Sequence, residues 1–200
     1  TPRSSDRERI ALREISTAAQ ERVNARKSWQ KLEQILAANF GRRDLVLTLT
    51  YEDGHLPATR ADAVKRVKKL IVQLRAHRRA RGQPTRYVYV TEQLSSEGGR
   101  LHHHMVLNGT GDDLEVLRSL WTHGNVELDA LDDWEGYEAL ARYLTKEPRE
   151  LGKPETGARN WSASLGLKKA AVETEIVRDH LTAVAPPGAI ILSAPPPIRN

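Results

Sequence analysis

The stretch GGRLHHHMVLNG, residues 98–109, sets three histidines at the head of an apolar run. Imidazoles ligate metals, move protons or simply satisfy hydrogen bonds, and placement decides which. A strand sends successive side chains to opposite faces. His102 and His104 therefore point one way with Val106, and His103 points the other way with Leu101, Met105 and Leu107. Two of the three can share a partner; the third cannot. The run RYVYVTEQ, 86–93, reads as the neighbouring strand of a hairpin closed by the loop LSSEGG. Paired so that Val90 faces His104, this hairpin sets Glu92 directly across from His102, with opposed Cβ atoms about 5 Å apart. Glu92, His102 and His104 would then hold one divalent cation, Mg²⁺ or Mn²⁺, whose remaining octahedral positions stay open to water and phosphate oxygens. A register slip of one residue would turn Glu92 away, leaving Glu97 in the loop or His123 as the third ligand.

An ion that polarises a phosphodiester needs a nucleophile. The segment GYEALARYLTKEP, 136–148, offers Tyr143 and Lys146 on one face of a helix. A phenol of pKa near 10 attacks poorly at neutral pH, but a metal-held phosphate and a neighbouring ammonium make the step feasible and leave a phosphotyrosine. Tyr-x-x-Lys is also what an ordinary amphipathic helix contains, with its tyrosine in the core. Tyr137 lies about 240° around the helix from Tyr143, which reads as a single nucleophile, with Tyr137 and Trp134 structural.

These groups need elements to position them. DLVLTLTYE, 44–52, has strand periodicity and places Thr48 and Thr50 on its polar face. Residues 60–86 carry ten Lys and Arg against the single acid Asp62. Val64, Val67, Ile71 and Leu74 recur there at helical spacing. The segment is predicted to be an amphipathic helix ending near Gly82 and Pro84, with Lys65, Lys68, Lys69, Arg75 and Arg78 on a basic outer face. Such a face is either merely solvated or a phosphate-tracking surface. A short helix over 111–121, a strand in GNVELDAL and a helix over 132–148 stopped by Pro148 follow. Residues 6–39 read as one long helix or two. The prolines of 183–200 suggest an extended tail strapped on through residues 190–192. The chain thus divides into a helical arm (1–40), a catalytic domain (41–182) and a Pro-rich tail (183–200). The predicted class is α+β: a central antiparallel sheet of about five strands, ferredoxin-like in arrangement, with helices mainly on one face and the site on the other.

Composition narrows the function. The 200 residues include 39% hydrophobic side chains, enough for one core. No apolar window approaches the ~20 residues of a membrane span, and no signal-peptide core is present, so a soluble, cytoplasmic protein without membrane partners is expected. With no cysteine, disulfides and thiolate zinc sites are excluded. The 31 basic against 26 acidic residues give a net charge of +5 and a pI of about 9.6, an excess concentrated in 60–86 and suited to an anionic partner.

The order of these motifs resembles the HUH endonucleases. A strand carrying LTLTY comes first, then His102 and His104 at the start of a strand with a Glu ten residues before, then Tyr143-Leu144-Thr145-Lys146 downstream. His103 fills the slot that family usually gives to a hydrophobic residue. YVTEQ, GGRLHHHMVLN, YLTKEPRELG and NWSASLGLKK are especially similar to single-tyrosine rolling-circle replication initiators of bacterial plasmids and filamentous-type phages, over roughly residues 40–180. The resemblance implies metal-dependent nicking and joining of single-stranded origin DNA. Glu92, His102 and His104 hold the metal, Tyr143 attacks to form a 5′-phosphotyrosine, and Lys146 offsets charge. Thr48 and Thr50 would help line the site or contact DNA, and Trp161 and Lys168 would stack on or clamp the single strand. No phosphate-binding Gly-x4-Gly-Lys-Ser/Thr loop occurs, so a separate helicase is expected. Alternatives are a relaxase or transposase of the same superfamily, a hydrolase using water, or a non-catalytic single-stranded nucleic-acid-binding module. One Phe and five Tyr make the last a poor stacking platform.

Overall fold

In a computed structural model, the described residues are 6–93, 99–131, 136–145 and 161–170. Among them the chain runs α1 (Asp6–Asn39), β1 (Leu45–Leu49), a 3₁₀ turn (Asp53–His55), α2 (Arg60–Arg79), β2 (Tyr87–Gln93) and β3 (Leu101–Leu107). It continues through α3 (Asp113–Leu120), β4 (Val126–Ala130), α4 (Glu138–Leu144) and β5 (Ser162–Ala163). Residues 6–39 form one helix rather than two. The strands make a single sheet in the order β4-β1-β3-β2-β5, antiparallel at every pairing. The predicted α+β class with a five-stranded antiparallel sheet is what the chain adopts. The register of the central hairpin sets Glu92 opposite His102 and Val90 opposite His104, as the side-chain pattern required. β5 had no sequence signal, because two residues carry no periodicity.

One expectation is corrected: helices cover both faces of the sheet. On the rear face Leu47, Leu49, Tyr89, Met105 and Leu107 pack with Val67, Leu70, Ile71 and Leu74 of α2 and Leu117 of α3. On the front face Val88, Val90 and Val106 pack with Leu32 and Leu36 of α1 and Ala141 and Leu144 of α4. The reason lies in β3, whose seven residues are all buried. A central strand with apolar groups on both sides must be covered on both sides. The end of α1 is therefore part of the core. No helix among the described residues is long and apolar enough to cross a membrane.

α2 begins at Thr59, whose side chain accepts a hydrogen bond from the Asp62 amide, an ordinary N-cap. Its far end is fixed by Arg78, which is 1% exposed. The Arg78 guanidinium donates to Asp113 Oδ1 at 2.5 Å and to Asn108 Oδ1 at 2.9 Å. Burial opposes the Asp113 charge, but hydrogen bonds from Thr110, Gly111 and Arg78 outweigh it and hold the carboxyl below its usual range. Arg78 therefore leaves the set assigned to DNA, since its charge is already spent inside the protein. The signal was present: Arg78 follows Leu74 by four positions and so continues the helix's apolar face.

The turn after α3 lies against the end of β1, with the Glu52 amide donating to the His123 carbonyl and the Thr50 amide to the Asn125 carbonyl, both at 3.0 Å. Gly124 makes this approach possible. A Cβ there would lie 2.4 Å from the Thr50 carbonyl oxygen and 2.8 Å from the Glu52 amide nitrogen.

Candidate metal and nucleophile site

Alternation along β3 sorts the three histidines. His102 and His104 face the front, where Glu92 of β2 meets both: Glu92 Oε2 lies 3.3 Å from His102 Nε2 and 3.4 Å from His104 Nε2. All three residues are buried, and their ligand atoms lie within 4.8 Å of one another. Ligands about 2.1 Å from an octahedral ion stand roughly 3 Å apart along an edge, so this spacing needs little adjustment to enclose one. Two imidazoles and a carboxylate are a donor set suited to a divalent cation that keeps open positions. The cluster can hold such an ion.

The outer nitrogens of both rings are also occupied. His102 Nδ1 lies 3.3 Å from the Arg100 carbonyl oxygen. A carbonyl can only accept, so Nδ1 carries a proton, which leaves Nε2 as the atom free to turn a lone pair to an ion placed between it and Glu92. His104 Nδ1 lies 3.1 Å from Thr48 Oγ1, because β1 pairs Thr48 opposite His104. With the hydroxyl accepting, His104 adopts the same tautomer. These contacts fix the orientation of both rings, as outer partners do for histidines that hold a metal.

Tyr143 comes from α4, whose Ala141 and Leu144 are buried against α1 and β3. One position off that buried face, Tyr143 is 42% exposed and places its hydroxyl 3.0 Å from His104 Nε2. It is the one aromatic among the exposed large apolar side chains described. A cleft of about 750 Å³ opens here, lined by Thr48, Thr50, His102, His104, Glu127 and Tyr143 among others. Its rim carries an Arg100–Asp53 ion pair. Phenol and imidazole pair thus line one accessible space, with the buried Glu92 carboxylate directly beneath the two rings.

His103 faces the rear and is fully buried. Its Nε2 lies 2.7 Å from the Tyr51 hydroxyl and its Nδ1 2.9 Å from Thr91 Oγ1. Burial, then the neighbouring His102, Arg60 and His104, push its pKa down to about 3, so the ring is neutral. Burial likewise pushes the Tyr51 phenol up. His123 stacks on the same side, its ring 5.2 Å from Trp121 and 6.2 Å from Tyr51. It is not part of the Glu92 cluster, which removes it as a substitute ligand.

The remaining sequence-derived residues are dispersed. Thr50 lines the cleft. Lys65, Lys68, Lys69 and Arg75 are exposed on α2, behind the sheet. Trp161 is half-buried against the front core, its indole nitrogen 3.3 Å from Ser28 Oγ. Lys168 is exposed, its backbone tied to the Asn39 side chain at the end of α1. Tyr137 is buried and donates to the Phe40 carbonyl, a structural role. Lys146, Glu97, Trp134, Pro148 and the 183–200 tail lie outside the described residues. What sequence reasoning missed was Thr48 as a partner of His104. The cross-strand position was the available signal.

No curated protein matches the chain. Among solved structures it is similar to the crystal structure of the hypothetical protein ORF119 from Sulfolobus islandicus rod-shaped virus 1. That likeness has a TM-score of 0.40 at 13% identity, over 62% of this chain and 97% of that one. Residues 44–148, from the start of β1 past α4, match the family of replication-associated proteins ORF2/G2P. The match takes in both front-facing histidines, Glu92 and Tyr143, spans more than half of the chain, and makes this protein a member of that replication-associated family.

Proposed function

We propose that the protein nicks and rejoins single-stranded origin DNA through a phosphotyrosine and so starts rolling-circle replication. The observation that carries this reading is the Tyr143 hydroxyl 3.0 Å from His104 Nε2, beside a buried carboxylate that spans both front-facing histidines. Bound between Glu92, His102 and His104, Mg²⁺ or Mn²⁺ would draw charge from an oxygen of the scissile phosphate. Tyr143 Oη attacks phosphorus and gives up its proton to water in the cleft. The phosphorus–O3′ bond breaks, and O3′ leaves with a proton as a free 3′-hydroxyl while the 5′ phosphate stays on the tyrosine. Attack by a 3′-hydroxyl reverses the step and joins ends. Thr50, in the cleft lining, would border the strand, Lys168 would contact its backbone, and Lys146 would offset charge in the transition state. A separate helicase would open the duplex. Family membership supports replication initiation as the setting, ahead of a relaxase or transposase.

The test is incubation with single-stranded DNA and Mn²⁺, followed by a denaturing gel. A DNA-linked protein band is expected and should vanish in Tyr143→Phe. Cleavage that survives this change points instead to attack by water. Binding without cleavage in the wild-type protein leaves a non-catalytic module.

A further inference from the structure

The basic residues of α2 form one stripe. Lys65, Lys68, Lys69, Arg75 and Arg79 are all exposed, and at 100° per residue they fall within an arc of about 120° that runs some 21 Å along the helix. Val67, Leu70, Ile71 and Leu74, which pack onto the sheet, lie on the opposite side. The stripe therefore points away from the protein and from the cleft. Only Lys65 is matched, to Asp62 Oδ1 at 3.2 Å. Lys68, Lys69, Arg75 and Arg79 enter no ion pair among the described residues. Like charges four apart, Lys65 with Lys69 and Arg75 with Arg79, each cost the helix about 0.2–0.5 kcal/mol. A merely solvated face gains nothing from that arrangement.

The stripe carries Val72 and Ala76 between its cations but no aromatic ring. A surface for single strands stacks bases on rings, whereas a duplex backbone asks only for cations at phosphate spacing. The start of α2 is fastened to the end of the sheet that holds the site. Arg60 donates to the Thr91 carbonyl, one residue before Glu92, and Arg66 donates to the His55 carbonyl. Glu52 and Asp53, just before His55, line the cleft.

We propose that the outer face of α2 binds the sugar-phosphate backbone of duplex DNA adjoining the cleaved strand, so that the protein holds duplex at its rear and single strand at its front. The inference rests on the cleavage reading above for the identity of the front ligand, but its test involves no chemistry. Anisotropy would compare a duplex bearing a single-stranded tail with the tail alone, between about 50 and 200 mM salt. The wild-type protein should prefer the tailed duplex by about tenfold or more. The triple variant Lys68→Gln, Lys69→Gln, Arg75→Gln, with its fold checked by circular dichroism, should lose that preference, and its log affinity against log salt should flatten by about 3. A second variant with Glu at the same positions should bind the tailed duplex more weakly still. The proposal is overturned by a wild-type protein indifferent to the duplex, or by variants that keep the preference. It is equally overturned by variants that lose both probes alike, or by polyglutamate competing as well as duplex, which would indicate an acidic protein partner. Failure of the Tyr143→Phe gel assay would leave these binding results standing.

Discussion

Three adjacent residues of one type meet opposite fates on the two faces of the sheet. His102 and His104 converge on a buried carboxylate at the edge of a cleft, while His103 is locked between two hydroxyls in a packed core. The difference is made by what stands across the strand pairing and by which helix covers each side. The front gathers donor atoms that can hold an ion, and the rear satisfies its polar groups with its own side chains. Chemical identity of a side chain is thus a weak guide to role, and parity along a strand is a strong one.

The contrast can be broken by substitution. The largest effect is expected for Glu92→Gln, which removes the charged ligand. Mn²⁺ affinity by calorimetry should fall on the order of a thousandfold, about 4 kcal/mol, with thermal stability little changed. His103→Leu should do the reverse. It leaves the Tyr51 and Thr91 hydroxyls buried without their partner, so stability should fall by about 2–3 kcal/mol in chemical denaturation, while Mn²⁺ affinity of the folded protein shifts less than about tenfold. If His103→Leu abolished metal binding and His102→Ala did not, the division of faces would be wrong.

A finer distinction comes from Thr48→Val, which should weaken Mn²⁺ binding by about tenfold through His104, with Thr48→Ser restoring it. The smallest effect is one of pH. Glu33, on α1 over the front face, is 1% exposed. Burial, then Glu138, raise its pKa to about 7 from 4.5, against a lowering by Arg142. The folded state then holds a proton that the unfolded chain releases, so this group's contribution to stability falls as pH rises from 4.5 toward 7. Glu33→Gln should raise stability at pH 8 by on the order of 1 kcal/mol, seen as a higher Tm, and give no gain at pH 4.5. A gain independent of pH would mean that Glu33 is not the titrating group.

Strand parity made the central site readable before any coordinates. Glu92 across from His102 and His103 turned away follow from alternation, whereas Tyr143 is singled out by the family resemblance, since Tyr-x-x-Lys spacing alone reads equally as a core tyrosine. What stayed hidden depends on three-dimensional cover. The docking of α1 on the front face leaves no local mark, since an amphipathic helix does not name the surface it will meet. Arg78 looked like its basic neighbours because composition is blind to azimuth; only its phase with Leu74 set it apart. β5 was too short to have a pattern. Thr48 was placed on the correct face, but a hydroxyl beside an imidazole becomes a positioning group only once the β1–β3 register is known.

Gly124 carries a last consequence. Because any Cβ there would strike the β1 end at Thr50–Glu52, the wall of the cleft depends on a position that has no functional group to offer. In a saturation screen scored by DNA cleavage, position 124 should behave as intolerantly as Glu92, His102 and His104, and such a map would mark as reactive a residue whose whole contribution is the room it leaves.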